Sequence, residues 1–205
     1  DDSQDQAAYM LAGLAYYNDK KYEKAKQEFS QLLTINDSHQ RAQLALIAIA
    51  EQQQKSELVK QGIDKLLSQQ ADFIPALAKL YFYNKPSGDV KAAMQRIEEQ
   101  YLAQPDNLGL AVLWARVLSN ENQLAQGIKI LEKYSQGENL TNSYWQTLGN
   151  AYIRNNDNAK AIEHYQAWLA AFPNSRQALM GNLLILDQRR QYKQALSLTE
   201  NYLDK

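Results

Sequence analysis

Side chains that could perform acid–base, nucleophilic or metal chemistry are few and scattered in this sequence. Only two histidines occur, His39 and His164, and the chain contains no cysteine. Thiolate metal sites, disulfides and cysteine nucleophiles are therefore excluded. Glu98 and Glu99 are neighbours on a predicted helix and point in different directions, so they cannot act together on one substrate. No glycine-rich phosphate loop, HExxH motif or GxSxG motif is present. We expect a protein that is not an enzyme and needs no cofactor or metal.

The charge balance and hydropathy exclude two further classes of function. Lys and Arg number 22 and Asp and Glu 23, which gives a formal net charge of -1. Because the chain lacks a basic stripe, we expect no nucleic-acid binding, and most of its aromatic side chains are assigned to core positions. The longest apolar run, Leu44 to Ala50, is far shorter than the ~20 residues that span a bilayer. This segment is therefore not expected to insert into a membrane.

The elements that must position the functional side chains are amphipathic helices. Apolar residues recur three and four positions apart, as at Tyr9, Ala12, Gly13 and Tyr16, and this spacing puts them on one helix face. The chain has only 4 prolines and 8 glycines, and their scarcity favours long helices over an all-β fold. His164 falls beside a core position, and we place it on the outer side of its helix.

A period of 34 residues organises the helices. At each step the chain has a small side chain, in the series Ala25, Val59, Ala93, Gly127, Ala161 and Ala195. Four residues later comes a large side chain in all but the last case, in the series Phe29, Ile63, Ile97, Leu131, Tyr165 and Thr199. The period predicts one domain over 1–205, built from units at about 6–39, 40–73, 74–107, 108–141, 142–175 and 176–205.

The fifth unit carries the fullest motif, formed by Trp145, Leu148, Gly149, Tyr152, Ala161, Tyr165 and Pro173. This pattern resembles the tetratricopeptide repeat. The resemblance implies an all-α fold, a right-handed superhelical solenoid of about six helix–turn–helix units. The second unit departs most, because Ile47 replaces the glycine and Ala50 replaces the tyrosine. The last unit has Asn182 and Thr199 at positions that are usually apolar, and we expect the chain to be a piece of a longer protein.

The resemblance also implies a binding surface, because the first helix of each unit in this family lines a concave groove for a partner segment. The residues that it assigns to partner contact are Tyr17, Lys79, Phe82, Arg116, Gln146, Asn150 and Arg154; Val112, Met180 and Leu184 are also expected to line the groove. Asn150 matches the position at which an asparagine can grip a peptide backbone. Gln146 stands where the family's carboxylate clamp would have a lysine. The alternative interpretation is a solvated polar wall.

The function expected is a non-enzymatic scaffold or adaptor that binds a peptide or protein segment in the groove. One alternative is an accessory tetratricopeptide region of a larger enzyme, or of a bacterial export or polysaccharide-secretion machine. Another is homo-oligomerisation through the terminal units. The chain is also similar to bacterial repeat lipoproteins of surface-export and exopolysaccharide systems, which weakly favours a periplasmic or other extracytoplasmic location over the cytoplasm.

Overall fold

The chain is built from helices that alternate with short turns. A computed structural model describes residues 2–203, in which there are twelve α-helices, one 3₁₀ helix at Lys85–Ser87 and no strand. The α-helices are α1 Asp2–Asn18, α2 Tyr22–Ile35, α3 Gln40–Gln52, α4 Ser56–Gln69, α5 Ile74–Asn84, α6 Lys91–Ala103, α7 Leu108–Asn120, α8 Leu124–Glu132, α9 Asn142–Arg154, α10 Asn158–Ala171, α11 Arg176–Gln188 and α12 Tyr192–Leu203. The prediction of an all-α repeat fold is confirmed. Among the described residues, none of these helices combines the length and the apolar character needed to cross a bilayer.

Five helices begin with a spacing of 34 residues, at positions 40, 74, 108, 142 and 176. Four of these starts are fixed by a side chain that accepts a hydrogen bond from a backbone N–H three residues later. The four capping residues are His39, Asn107, Thr141 and Ser175. The remaining helix, α5, begins after Phe73 and has Pro75 in its first turn instead of a capping side chain. Capping side chains satisfy an otherwise unpaired helical N–H, so the sequence period sets where each repeat begins.

The turn inside each repeat also recurs every 34 residues. Its central residue has a positive φ angle six times, at Lys20, Gln54, Gly88, Asn122, Asn156 and Arg190. In most of these turns the next residue donates its N–H to a carbonyl five positions back, as from Asp157 to Tyr152 at 3.0 Å. This bond closes the preceding helix in a Schellman-type cap. The left-handed residue thus ends the first helix and lets the second helix fold back against it.

The small and large side chains of the 34-residue series form the core. Ala25, Val59, Ala93 and Ala161 are at most 1% exposed. Their large partners at Phe29, Ile63, Ile97, Leu131 and Tyr165 are at most 3% exposed. The series weakens in the last repeat, where Ala195 and Thr199 are only half-buried. Close approach at the small residues lets the large ones fill the space between helices.

Two compact units divide the chain within α6, Asp1–Arg96 and Ile97–Lys205. In the first unit, α1 packs on α2, α2 on α3, α3 on α4, and α4 on α5. In the second, the same sequential packing runs from α7 to α12, and α9 also contacts α7 and α11. Each unit is therefore a stack in which helices pack against near neighbours in sequence. The assignment of a single domain to 1–205 stays a prediction.

Candidate partner-binding groove

A groove between α9 and α11 brings together two of the residues predicted to bind a partner. Gln146 and Asn150 lie one turn apart on α9, and both are exposed. They line a cavity of about 350 Å³, which α11 borders with Gln177, Met180 and Leu184. Met180 is 56% exposed and Leu184 48%. The groove therefore presents amide groups from one helix and solvent-exposed apolar groups from the next.

The base of this groove is the ring of Tyr165 from α10. A Cβ atom at Gly149 would lie 2.7 Å from the Tyr165 hydroxyl, and one at Gly181 would lie 2.2 Å from ring atom Cε1. Such distances are shorter than any real contact, so the ring occupies space that only two glycines leave open. The phenol is held between α9 and α11, and it spaces the two helices that form the groove.

The buried phenol also orients Asn150. Burial raises the pKa of Tyr165 to about 12, so its hydroxyl remains protonated at physiological pH. The hydroxyl donates to Asn150 Oδ1 across 3.4 Å. Because Asn150 Oδ1 accepts this hydrogen bond from the buried phenol, the Nδ2 group of the same amide can donate to a partner in the groove. A donor at this place can meet a backbone carbonyl of an extended segment.

The two arginines predicted for the same groove do not line this cavity. Arg154 Nη2 donates to the carbonyl oxygen of Ser119, near the end of α7, at 2.9 Å. Helix carbonyls near a C-terminus lack helical partners and carry partial negative charge, so a guanidinium is well placed there. Arg154 thus links α9 to α7. Arg116 is exposed on α7, outside the residues that border the α9–α11 cavity.

In the first unit, the predicted residues Lys79 and Phe82 border a separate cavity of about 810 Å³. Lys79 Nζ lies 2.7 and 2.6 Å from the two carboxylate oxygens of Glu51. This ion pair joins α5 to the end of α3. Phe82 is 40% exposed, and its ring meets the Tyr81 ring edge-on at 5.0 Å. Phe82 therefore exposes apolar surface, whereas the ammonium group of Lys79 is paired with the Glu51 carboxylate of the same stack.

Tyr17, the remaining predicted residue, packs at the edge of a core cluster. It is half-buried there, beside the cluster that contains Phe29 and Leu32. Its ring centroid lies 5.7 Å from that of Tyr22. These contacts join α1 to α2.

Comparison with known protein families identifies the repeats. Residues 6–39 and residues 142–185 each match a family model of the tetratricopeptide repeat. These two segments are similar to the tetratricopeptide repeat. The first match coincides with the first predicted unit, and the second covers the unit with the fullest motif.

Several solved structures are similar to the chain in fold at low sequence identity. Pseudomonas aeruginosa PilF is 17% identical, with a TM-score of 0.62 over 96% of this chain and 90% of that one. PilW, described as a widely conserved type IV pilus biogenesis factor, is 11% identical, with a TM-score of 0.65 over 94% and 90%. A tetratricopeptide repeat protein from Parabacteroides merdae is 9% identical, with a TM-score of 0.61 over 98% and 80%. A sequence search of curated proteins gave no match.

Two placements expected from the tetratricopeptide pattern are wrong. His164 is 9% exposed rather than outward-facing, and its Nε2 lies 2.8 Å from the Trp145 carbonyl oxygen. The reason is that α10 packs on helices at both sides, so residues adjacent to the core stripe are also covered. Val112 is 5% exposed, so it packs inside the stack instead of lining the groove.

His164 belongs to an aromatic cluster that the sequence pattern did not predict. Its ring centroid lies 4.9 Å from that of Trp145 and 5.7 Å from that of Tyr152. Burial lowers the pKa of His164, opposed in part by the hydrogen bond to the Trp145 carbonyl. The imidazole is therefore neutral at pH 7 and donates Nε2–H to that carbonyl. Its role in the fifth repeat is packing. The sequence feature that could have predicted this cluster is the seven-residue spacing of Trp145 and Tyr152.

Proposed function

We propose that this protein is a non-enzymatic scaffold that holds an extended segment of another protein in the groove between α9 and α11. The observation that carries the proposal is the composition of that groove. Gln146 and Asn150 supply amides on one wall, and Met180 and Leu184 supply exposed apolar groups on the other. Amides can bind the polar backbone of a segment, and an apolar wall can bury its alternate side chains.

The geometry of the groove favours a segment with few charges. Arg154, the nearest predicted cation on α9, is engaged with the Ser119 carbonyl. The side chains with polar groups that border the cavity are all neutral: the amides of Gln146, Asn150 and Gln177, the Tyr165 phenol and the Trp168 indole. We therefore expect backbone recognition together with one or two apolar anchor side chains, and a modest dependence on salt.

The test is selection of binding peptides from a random displayed library against the full chain, followed by fluorescence anisotropy. The Asn150→Ala variant should bind a selected peptide roughly tenfold more weakly, which is the effect of losing one well-placed hydrogen bond. Met180→Asp should also weaken binding, because it places a charge on the apolar wall.

The matched control is Gln166→Ala, which removes an exposed amide from α10 outside this groove. It should bind as the wild type does. Circular dichroism verifies that each variant is folded. Equal affinities of the wild type, Asn150→Ala and Met180→Asp would exclude the α9–α11 groove as the binding site.

A second candidate is an accessory role in a bacterial surface-export or polysaccharide-secretion assembly. PilW, described as a widely conserved type IV pilus biogenesis factor, has a similar fold, and this likeness supports the candidate role. We propose this role as the setting in which the partner segment is held. Copurification of an export component whose peptide competes with the selected peptides would support it.

A further inference from the structure

The first compact unit contains an apolar cleft between α2 and α4. Both helices pack against α3, which supplies Leu46, Ile47 and Ala50 as the floor of the cleft. Leu33 of α2 and Leu58 of α4 form its walls. The cleft encloses about 310 Å³, which is at the lower end of the roughly 300–1,000 Å³ of sites that hold small molecules. This space suits a slender apolar ligand.

The cleft is open because α3 has a small residue where α9 has an aromatic ring. Helix α3 begins at 40 and α9 at 142, so Ala50 corresponds to Tyr152. In the fifth repeat, the Tyr152 hydroxyl donates to Glu132 Oε1 of α8 at 2.9 Å, and Lys160 Nζ of α10 lies 5.7 Å from the ring centroid. The ring thus spans from α8 to α10. Ala50 has no side chain of this length, and the space between α2 and α4 is left unfilled.

The apolar walls of the cleft can be reached from solvent. Leu58 is 47% exposed, and Leu33 and Leu46 are half-buried. Apolar surface that lines a cleft and still contacts water is typical of ligand-binding grooves, because an occupant gains free energy by covering it. The surface available in this cleft is therefore aliphatic and accessible.

Two lysines give the mouth of the cleft a positive charge. Lys26 of α2 and Lys65 of α4 border the cleft, and both are exposed. Within the described part of the chain, neither ammonium group has an ion pair, and no acidic residue borders the cleft. Glu23, a neighbouring carboxylate on α2, accepts a hydrogen bond from Gln53 Nε2 at 2.9 Å. The mouth therefore favours an anionic group, while the aliphatic stems of the lysines extend the apolar walls.

We propose that the cleft between α2 and α4 binds a medium-chain carboxylate of the fatty-acid class. The alkyl chain lies against Leu33, Leu46 and Leu58, which remove it from water. The carboxylate stays at the mouth, where Lys26 or Lys65 pairs with it. This site is independent of the α9–α11 groove, because every residue that forms it belongs to the first compact unit.

The experiment titrates the full chain with octanoate, decanoate and decyltrimethylammonium, each below its critical micelle concentration, and measures affinity by isothermal titration calorimetry. Decanoate should bind at a single site and roughly tenfold more tightly than octanoate, because the cleft buries two further CH₂ groups. Decyltrimethylammonium has the same chain and the opposite charge, so it should bind roughly tenfold more weakly than decanoate. Absence of saturable decanoate binding, or equal affinity for the two decyl compounds, would overturn the proposal.

Variants at exposed positions locate the site without disturbing the core. Lys26→Gln and Lys65→Gln should each weaken decanoate binding roughly threefold, the effect of one exposed ion pair. Lys60→Gln is the matched control, because Lys60 is also exposed on α4 and does not border the cleft. Leu58→Glu places a carboxylate on the apolar wall and should weaken binding more than either lysine variant. Unchanged affinity in Leu58→Glu and in both cleft lysine variants would overturn the assignment.

Other occupants of the cleft are distinguished with the same Leu58→Glu variant. Cosedimentation with phosphatidylglycerol vesicles that this variant abolishes, without binding of free decanoate, would assign the cleft to a membrane surface. A dimer detected by light scattering that this variant dissociates, again without decanoate binding, would assign the cleft to a second copy of the chain. Either result would overturn the proposal.

Discussion

The ring of Tyr165 fills the space in which a side chain at Gly181 would stand. A Cβ atom built on Gly181 lies 2.2 Å from Tyr165 Cε1 and 2.4 Å from Cζ. Tyr165 belongs to α10 of the fifth repeat and Gly181 to α11 of the sixth. This contact sets how closely the two repeats pack, and hence the width of the α9–α11 groove.

Gly181→Ala should destabilise the protein by roughly 1–3 kcal/mol, because the added methyl group forces the Tyr165 ring or α11 to shift. The sign of the change in stability is informative. Replacing an unobstructed glycine in a helix interior by alanine stabilises a protein by roughly 0.5–1 kcal/mol. Chemical denaturation measures the change in the free energy of unfolding.

The same substitution in a Tyr165→Leu background serves as the control. Without the ring, Gly181→Ala should be neutral or stabilising. An equal loss in both backgrounds would show that Tyr165 is not the group that excludes a side chain at position 181.

His164 should titrate below the ordinary value of 6.5 for histidine, because burial disfavours its charged form. A lowered folded-state pKa means that the unfolded chain binds this proton more readily. The contribution of His164 to stability is therefore full above 6.5 and is lost as the pH falls through the folded-state pKa.

Imidazole NMR signals can test this prediction with little overlap, because the chain has only two histidines. The His39→Asn variant retains a side chain that can cap α3 and leaves the His164 signal alone. A His164 midpoint at or above 6.5 would contradict the buried position between the rings of Trp145 and Tyr152.

Arg190→Gly should stabilise the last repeat by a few tenths to about 1 kcal/mol. Arg190 has a φ angle of 55°, and this left-handed conformation is unfavourable for a residue with a Cβ atom. Glycine adopts it without that penalty, although it loses more entropy on folding. The neighbouring Arg189 has a φ angle of -88° and is likewise exposed.

Arg189→Gly is therefore a matched control and should destabilise by up to about 1 kcal/mol. Thermal and chemical unfolding of the two variants gives the comparison. If both substitutions destabilise equally, the left-handed turn is not a source of strain in this repeat.

The repeat itself could be predicted from the sequence because its signals are local. The small side chains at Ala25 and Ala161 and the large ones at Phe29 and Tyr165 follow helical spacing, and all four are buried. Helix starts at 40 and 142 also follow the period, since capping residues act only on the next turn.

The partners of the charged residues that were predicted to line the groove could not be predicted in the same way. Lys79 and Arg154 bind Glu51 and the Ser119 carbonyl, 28 and 35 residues away along the chain. Such pairs depend on the lateral distance between helices of successive repeats, which a 34-residue period does not specify. The burial of His164 likewise depends on covering helices on more than one side.

The central claim is that a partner segment lies in the α9–α11 groove, and methyl NMR tests it most directly. The chain has 3 methionines, Met10, Met94 and Met180, so methionine-labelled protein gives a simple spectrum. Titration with a selected peptide should shift the Met180 signal and leave that of Met94 on α6 unchanged. Saturation of the protein with bound peptide and an unshifted Met180 signal would contradict this claim.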